Sequence, residues 1–169
     1  MTGYDIRLLS RSDEPAFRRV RLDALRLHPT AFGASYDQDR RATPDALAAR
    51  LLEPPSYMFG GFTTGAELVG TSALRLQSSA KSRHKGSVFA VYVDAAHRRS
   101  GLARTLVETV IARARDERLN VLQLTVTLGN DAARRLYGAL GFRTYGIERR
   151  ALCVDGVFID EELMALDID

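Results

Sequence analysis

The chain has 169 residues, 46% of them hydrophobic, a formal charge of +3 and a pI of about 9.3. That length predicts one globular domain over residues 1–169, burying roughly two-thirds of its unfolded surface. No apolar run nears the roughly 20 residues of a bilayer span, and the mixed polar start MTGYDIRLLSRSDE does not resemble a secretion signal.

No membrane partner is therefore expected. The single cysteine, Cys153, excludes an internal disulfide framework and fits a reducing, cytoplasmic location. Arginine supplies nearly all the positive charge, since lysine occurs only at Lys81 and Lys85. The arginines are scattered in pairs, such as Arg18-Arg19, Arg98-Arg99 and Arg134-Arg135, rather than gathered with aromatics. That pattern reads as a solvated surface and not as a nucleic-acid footprint.

Taken in order, Tyr4 to Leu8 alternates as a half-buried strand. Ser12 reads as an N-cap, with Asp13 and Glu14 in the first turn of a helix presenting Phe17, Val20, Ala24 and Leu27. Pro29 ends that helix near His28. The stretch His28–Arg41 reads as irregular. Its Phe32, Tyr36, Asp37 and Asp39 suit either an acceptor-lining loop for a cationic substrate or a helix–helix connection whose aromatics cap the core. Thr43-Pro44 starts a short helix with Leu47, Leu51 and Leu52, ended by Pro54-Pro55.

Residues 57–76 predict a hairpin turning at Gly65. Gln77 to Gly86 reads as a polar exposed loop. Val88-Phe89-Ala90-Val91-Tyr92-Val93 is unbroken apolar sequence and predicts a strand buried on both faces. A turn with Arg98 and Arg99 follows, and Gly101 opens a helix carrying Leu102, Leu106, Val107, Val110, Ile111 and Ala114. Unpaired N–H groups at such a helix start, beside two arginines and a glycine, make a candidate anion site.

Val121 to Leu128 alternates as a strand. Asn130 reads as the N-cap of a helix with Ala133, Leu136, Tyr137 and Leu140, capped by Gly141. The last two strands turn at Asp155-Gly156. The order β-α-α-β-β-β-α-β-α-β-β predicts an α/β chain with one mixed, mostly antiparallel sheet flanked by helices.

Two stretches carry a family resemblance. Arg98-Arg99-Ser100-Gly101-Leu102-Ala103 is similar to the phosphate turn of the GCN5-related N-acetyltransferases (GNAT). Asn130 to Phe142 resembles that family's Asn-x-x-Ala-x-x-x-Tyr-x-x-x-Gly-Phe. The chain departs from the pattern at Ala95, near which the family often has proline. It also has no carboxylate on strand Val88–Val93, where the family often has a glutamate.

The resemblance implies an acyl-CoA N-acyltransferase fold, with acetyl-CoA as co-substrate and an amine acceptor, on a small molecule or on a protein. It implies that Arg98, Arg99, Ser100, Gly101, Leu102, Ala103 and Arg104 hold the pyrophosphate. The backbone of Val91, Tyr92 and Val93, together with Asn130, would hold the pantetheine arm, and Tyr137 would protonate the leaving thiolate. By spacing alone Tyr137 reads as core and Asn130 as a plain cap.

Glu67, Glu148 and Asp160 are conceivable bases that read first as surface charges. Cys153 reads as an inert half-buried thiol, and His28, His84 and His97 have no metal-ligand spacing, so no metal is expected. A non-catalytic acyl-CoA-binding domain of the same fold is the alternative. A nucleotide-hydrolysing phosphate loop fails for want of Gly-Lys-Ser/Thr. Exposed strand edges near the C-terminus suit a homodimer.

Overall fold

The computed structural model describes residues 3–169. Its elements run β1 (Tyr4–Leu8), α1 (Glu14–Leu27), α2 (Tyr36–Arg41), α3 (Pro44–Leu51), β2 (Ser56–Thr63), β3 (Leu68–Leu76), β4 (Lys85–Val93), α4 (Leu102–Asp116), β5 (Val121–Thr127), α5 (Asp131–Ala139), β6 (Arg143–Val154) and β7 (Val157–Asp167). The seven strands form one sheet in the order β1-β2-β3-β4-β5-β7-β6. Each neighbouring pair is antiparallel except β4–β5, which is parallel. A parallel neighbour needs a crossover, and α4 supplies it.

Two apolar cores lie on opposite faces of this sheet. The buried stripe of α4 (Leu102, Leu106, Val107, Val110, Ile111, Ala114) packs one core with Phe59, Leu122, Leu124 and Phe142. Phe17, Val20 and Ala24 of α1 pack the other with Leu47, Leu51, Met58 and Tyr92. Strand residues alternate between faces, so Met58 joins the second core while its neighbours Tyr57 and Phe59 join the first.

Six local readings change. Helix α1 begins at Glu14, after a 3₁₀ turn at Arg11–Asp13. Ser10, not Ser12, takes the cap position, and its N–H donates to Asp13 Oδ2 at 2.8 Å. The irregular stretch contains the short helix α2. Strand β4 starts at Lys85, because Lys85 pairs with β5, and Gly86 and Ser87 pair with both β3 and β5. Strand β4 is not buried evenly: Val88, Ala90, Tyr92 and Val93 are buried while Phe89 and Val91 are half-buried. Cys153 is exposed rather than half-buried.

Helix α2 is too short to be stable by propensity. It is held by its one buried side chain, Asp39, which is 0% exposed. Arg21 Nε of α1 donates to Asp39 Oδ2 at 2.9 Å, and Arg50 of α3 donates to Oδ1. Arg18 adds a bond to the Ala42 carbonyl at 2.9 Å. One carboxylate thus joins three helices. Removing it strands the buried Arg21 charge, so Asp39→Ala is expected to cost about 3–5 kcal/mol, read from urea unfolding. Unchanged stability would mean that packing alone holds α2.

Candidate active site

Strands β4 and β5 pair over only three residues, Lys85–Ser87 with Val121–Gln123. Beyond them the two strands part. Strand β5 stays paired to β7 as far as Thr127, and β4 stays paired to β3 as far as Val93. A bulge in β4 sets the divergence: Ala73 pairs with Phe89 but Thr71 pairs with Tyr92, leaving two residues of β4 opposite Ser72. Ala90, at φ 52°, is the strained residue of that bulge. The buried Thr71 hydroxyl donates to the Ala90 carbonyl at 2.8 Å and fixes it.

The groove at the parting has a volume of about 610 Å³. Val91, Tyr92 and Val93 form one wall, the start of α4 another, and α5 the third. This brings together the three sequence stretches singled out above.

The turn before α4 is built to leave amides free. Arg99 (φ 57°) and Gly101 (φ 87°) both take left-handed backbone. Ser100 Oγ donates to the His97 carbonyl at 2.6 Å, which closes the turn. Among the described residues the N–H groups of Arg99, Ser100, Gly101, Ala103 and Arg104 have no acceptor, and regular bonding begins with Thr105 on the Gly101 carbonyl. Such amides, at the positive end of a helix dipole, favour an anion.

The two arginines of the turn differ. Arg99 is exposed. Arg98 instead folds back onto the strand: its Nε donates to the Val93 carbonyl at 3.0 Å, and its Nη2 lies 2.9 Å from His28 Nε2. Burial and the Arg98 charge hold the His28 pKa below its usual value, which keeps it the acceptor of that bond. Arg104 pairs with Glu108 on the helix surface at 2.9 Å.

Asn130 caps α5, its Oδ1 accepting from the Ala133 N–H at 3.3 Å. It also lines the cavity that continues the groove past Val91–Val93 toward His28 and Phe32. Tyr137 lies in the groove wall but is only 7% exposed. Burial raises its pKa well above the usual phenol range, so it stays protonated at neutral pH. Its ring meets Phe142 edge-on, with centroids 5.9 Å apart. Gly141, at φ 97°, turns the chain so that the Phe142 N–H returns to the Tyr137 carbonyl at 3.0 Å.

The conceivable bases lie outside this groove. The Glu67 side chain is 65% exposed and 3.9 Å from Arg19. Glu148 is exposed. Asp160 accepts from Arg149 and from the Arg150 N–H, which hold its pKa down. The acidic run Asp160-Glu161-Glu162 conceals a distinction that only strand register reveals. Glu162 is buried and bonded to Arg134 and Thr144. Glu161 points to the opposite face, opposite Thr127, and burial raises its pKa.

Of the loop residues, Phe32 lines the cavities along β4, and Tyr36 lines one shared with the β6–β7 turn. Asp37 instead points outward and pairs with Arg40. Asp39 is consumed by Arg21 and Arg50. The acidic half of the expected acceptor loop is thereby removed.

Comparison with known proteins agrees with this geometry. Residues 20–142 match the acetyltransferase (GNAT) family. The chain is 32% identical over 114 residues to the N-alpha-acetyltransferase RimI of Mycobacterium tuberculosis, covering 67% of this chain and 69% of that one. A GNAT-family acetyltransferase from Streptococcus pneumoniae superposes with a TM-score of 0.85 at 24% identity, covering 98% of this chain and 99% of that one. Salmonella typhimurium yncA, solved with acetyl-CoA, superposes at 0.81 and 24% identity, covering 98% and 94%. The chain belongs to the GNAT family of acetyltransferases.

Proposed function

We propose that the protein transfers an acetyl group from acetyl-CoA to a primary amine, by direct attack of the amine on the thioester. The observation that carries this reading is the parting of β4 and β5 beside the free amides of α4, with Tyr137 in the same groove. The yncA structure contains acetyl-CoA, and the relative RimI is an N-alpha-acetyltransferase, which supports the reading.

The residues fit the parts of acetyl-CoA. The free amides of Arg99, Ser100, Gly101, Ala103 and Arg104, with the exposed Arg99 side chain, suit the pyrophosphate. Leu102 and Ala103 line the groove beside them. Arg98 acts by holding the turn against Val93. The edge of β4 at Val91–Val93 has no strand partner on the β5 side, so it suits the amide groups of the pantetheine arm, as an added strand would. Asn130 closes that path.

In the reaction the amine nitrogen bonds to the acetyl carbon, the carbon–sulfur bond breaks, and the thiolate takes its proton from Tyr137. Tyr137 is protonated at neutral pH and can give that proton as the thiolate's charge develops beside it, and re-protonation from water resets it. No carboxylate of the groove accepts the amine's proton, which fits its loss to water. A phenol in the wall of the groove supports this reading over a non-catalytic acyl-CoA-binding domain.

Two outcomes follow. Tyr137→Phe keeps the ring and its contact with Phe142, so acetyl-CoA affinity by calorimetry should be retained while kcat for thiol release falls about 100-fold. An unaltered kcat would remove Tyr137 from the chemistry. Gly101→Val places a branched side chain at φ 87°, where left-handed backbone costs roughly 1–2 kcal/mol. Acetyl-CoA affinity should drop by about tenfold or more, and a full-affinity variant would show that the turn does not hold the pyrophosphate.

A further inference from the structure

A cavity of about 330 Å³ lies on the face of β4 away from α4, lined by Arg21, Arg50, Arg75, Phe32, Ser87 and Phe89 among others. It holds three guanidinium groups. One carboxylate, Asp39, serves two of them. Three positive charges against one negative leave a net +2.

The nearby acids are committed elsewhere: Glu14 to Arg18, Asp37 to Arg40, and Asp45 and Glu53 to Arg11. Arg21 is 7% exposed, and only its Nε is spent on Asp39. Its two terminal nitrogens have no acceptor among the described residues. Arg75 is held by two bonds, from Nε to Ser56 Oγ at 3.1 Å and from Nη2 to the Arg50 carbonyl at 3.2 Å, and neither is to a carboxylate. Its guanidinium lies 4.6 Å from the centre of the Phe89 ring.

Positive charge in excess of its counterions is costly to hold in a partly buried cavity, and positioned guanidinium forks match carboxylate oxygens two by two. The cavity is also near the proposed chemistry. Its Phe89 and Ala90 precede Val91 by one or two residues, about 3–7 Å of strand. Phe32 is shared with the cavity lined by Val91–Val93 and Asn130. The volume is at the low end of the roughly 300–1,000 Å³ of small-molecule sites.

We propose that this cavity is the anion subsite of the acceptor pocket, and that the acceptor is a small amino-acid-like amine carrying a carboxylate or comparable oxyanion. The inference rests on the acetyl-transfer reading above and names its substrate class. Arg21 and Arg75 grip the oxyanion, Arg50 adds charge, and the amine is left directed along β4 toward Val91.

The test pairs free amino acids with their C-terminal amides, and with dipeptides sharing the same N-terminal residue, in an acetyl-CoA-dependent thiol-release assay. The free amino acid should show a KM about tenfold or more below its amide and its dipeptide. Arg75→Gln should erase most of that difference by raising KM more than it lowers kcat. Arg75→Lys, which keeps charge but not the fork, should fall between, and it serves if the glutamine variant melts too low to assay.

Equal KM values for acid and amide, or a difference that Arg75→Gln leaves intact, would overturn the subsite. Preference for a dipeptide would overturn the small-molecule acceptor. Calorimetry with the same amino acids reads the subsite without turnover. Arg75-dependent binding in a chain that releases no thiol with any amine would sink acetyl transfer and uphold the subsite. Absence of both binding and turnover would sink the subsite.

Discussion

Strand β4 is the constraint on which the rest depends, because it must serve two partners that lead apart. It pairs along β3 on one side and touches β5 for only three residues on the other. Parting two strands inside a sheet leaves backbone donors and acceptors without partners, and buried groups of that kind must be met by something. The cost falls beside the free amides of α4 and the wall of α5. The bulge at Ala90 makes the parting a fixed feature. A residue at φ 52° persists only where its surroundings over-determine it, and here the buried Thr71 hydroxyl does so.

The division of the sheet into two faces separates two tasks. On one face α4 and α5 pack a continuous apolar core, so their termini are rigid and their polar ends can be aimed. On the other face the second core is smaller, and charge takes over part of the work of holding helices together. Arg18, Arg21 and Arg50 converge on Asp39 and on the end of α2. The face that carries α4 is thus organised by apolar burial and backbone geometry, and the opposite face by guanidinium groups around a carboxylate.

How far the sequence was legible follows from the same contrast. The elements with one dominant signal came through: the helical stripe from Leu102 to Ala114, the alternation from Val121 to Leu128, the Asp155-Gly156 turn. The two motifs were legible because each encodes a local backbone requirement. Gly101 and Gly141 sit at φ 87° and 97°, where other residues are strained, and Phe142 follows Tyr137 at the spacing that lets its N–H return to the Tyr137 carbonyl. What was not legible depends on partners distant in sequence. The apolar run Val88–Val93 looked uniformly buried because nothing local announces that β5 leaves it. Ser12 looked like a cap because Arg7 and the Ser10 N–H, which engage Asp13, lie outside the local pattern. Asp39 reads as a possible acceptor-lining acid because both arginines that bury it come from other helices.

That last misreading bears on the acceptor. An aromatic and acidic loop suggests a cationic partner, and the folded loop presents the reverse. Asp37 turns outward, Asp39 is neutralised, and the cavity is bounded by guanidinium groups. A buried ion network serving stability alone gains most when its charges balance, since each unmatched charge carries a desolvation penalty that no partner offsets. Arg21–Asp39–Arg50 is already one positive charge in excess, and Arg75 adds a second without bringing a carboxylate. Solvent can screen part of that excess through the open side of the cavity, but it does not account for the positioning. Arg75 is fixed by a serine hydroxyl, a backbone carbonyl and an aromatic face, none of which lowers its charge. Neutral partners that orient a cation while leaving it cationic are what a site needs if an anion is to arrive from outside the chain.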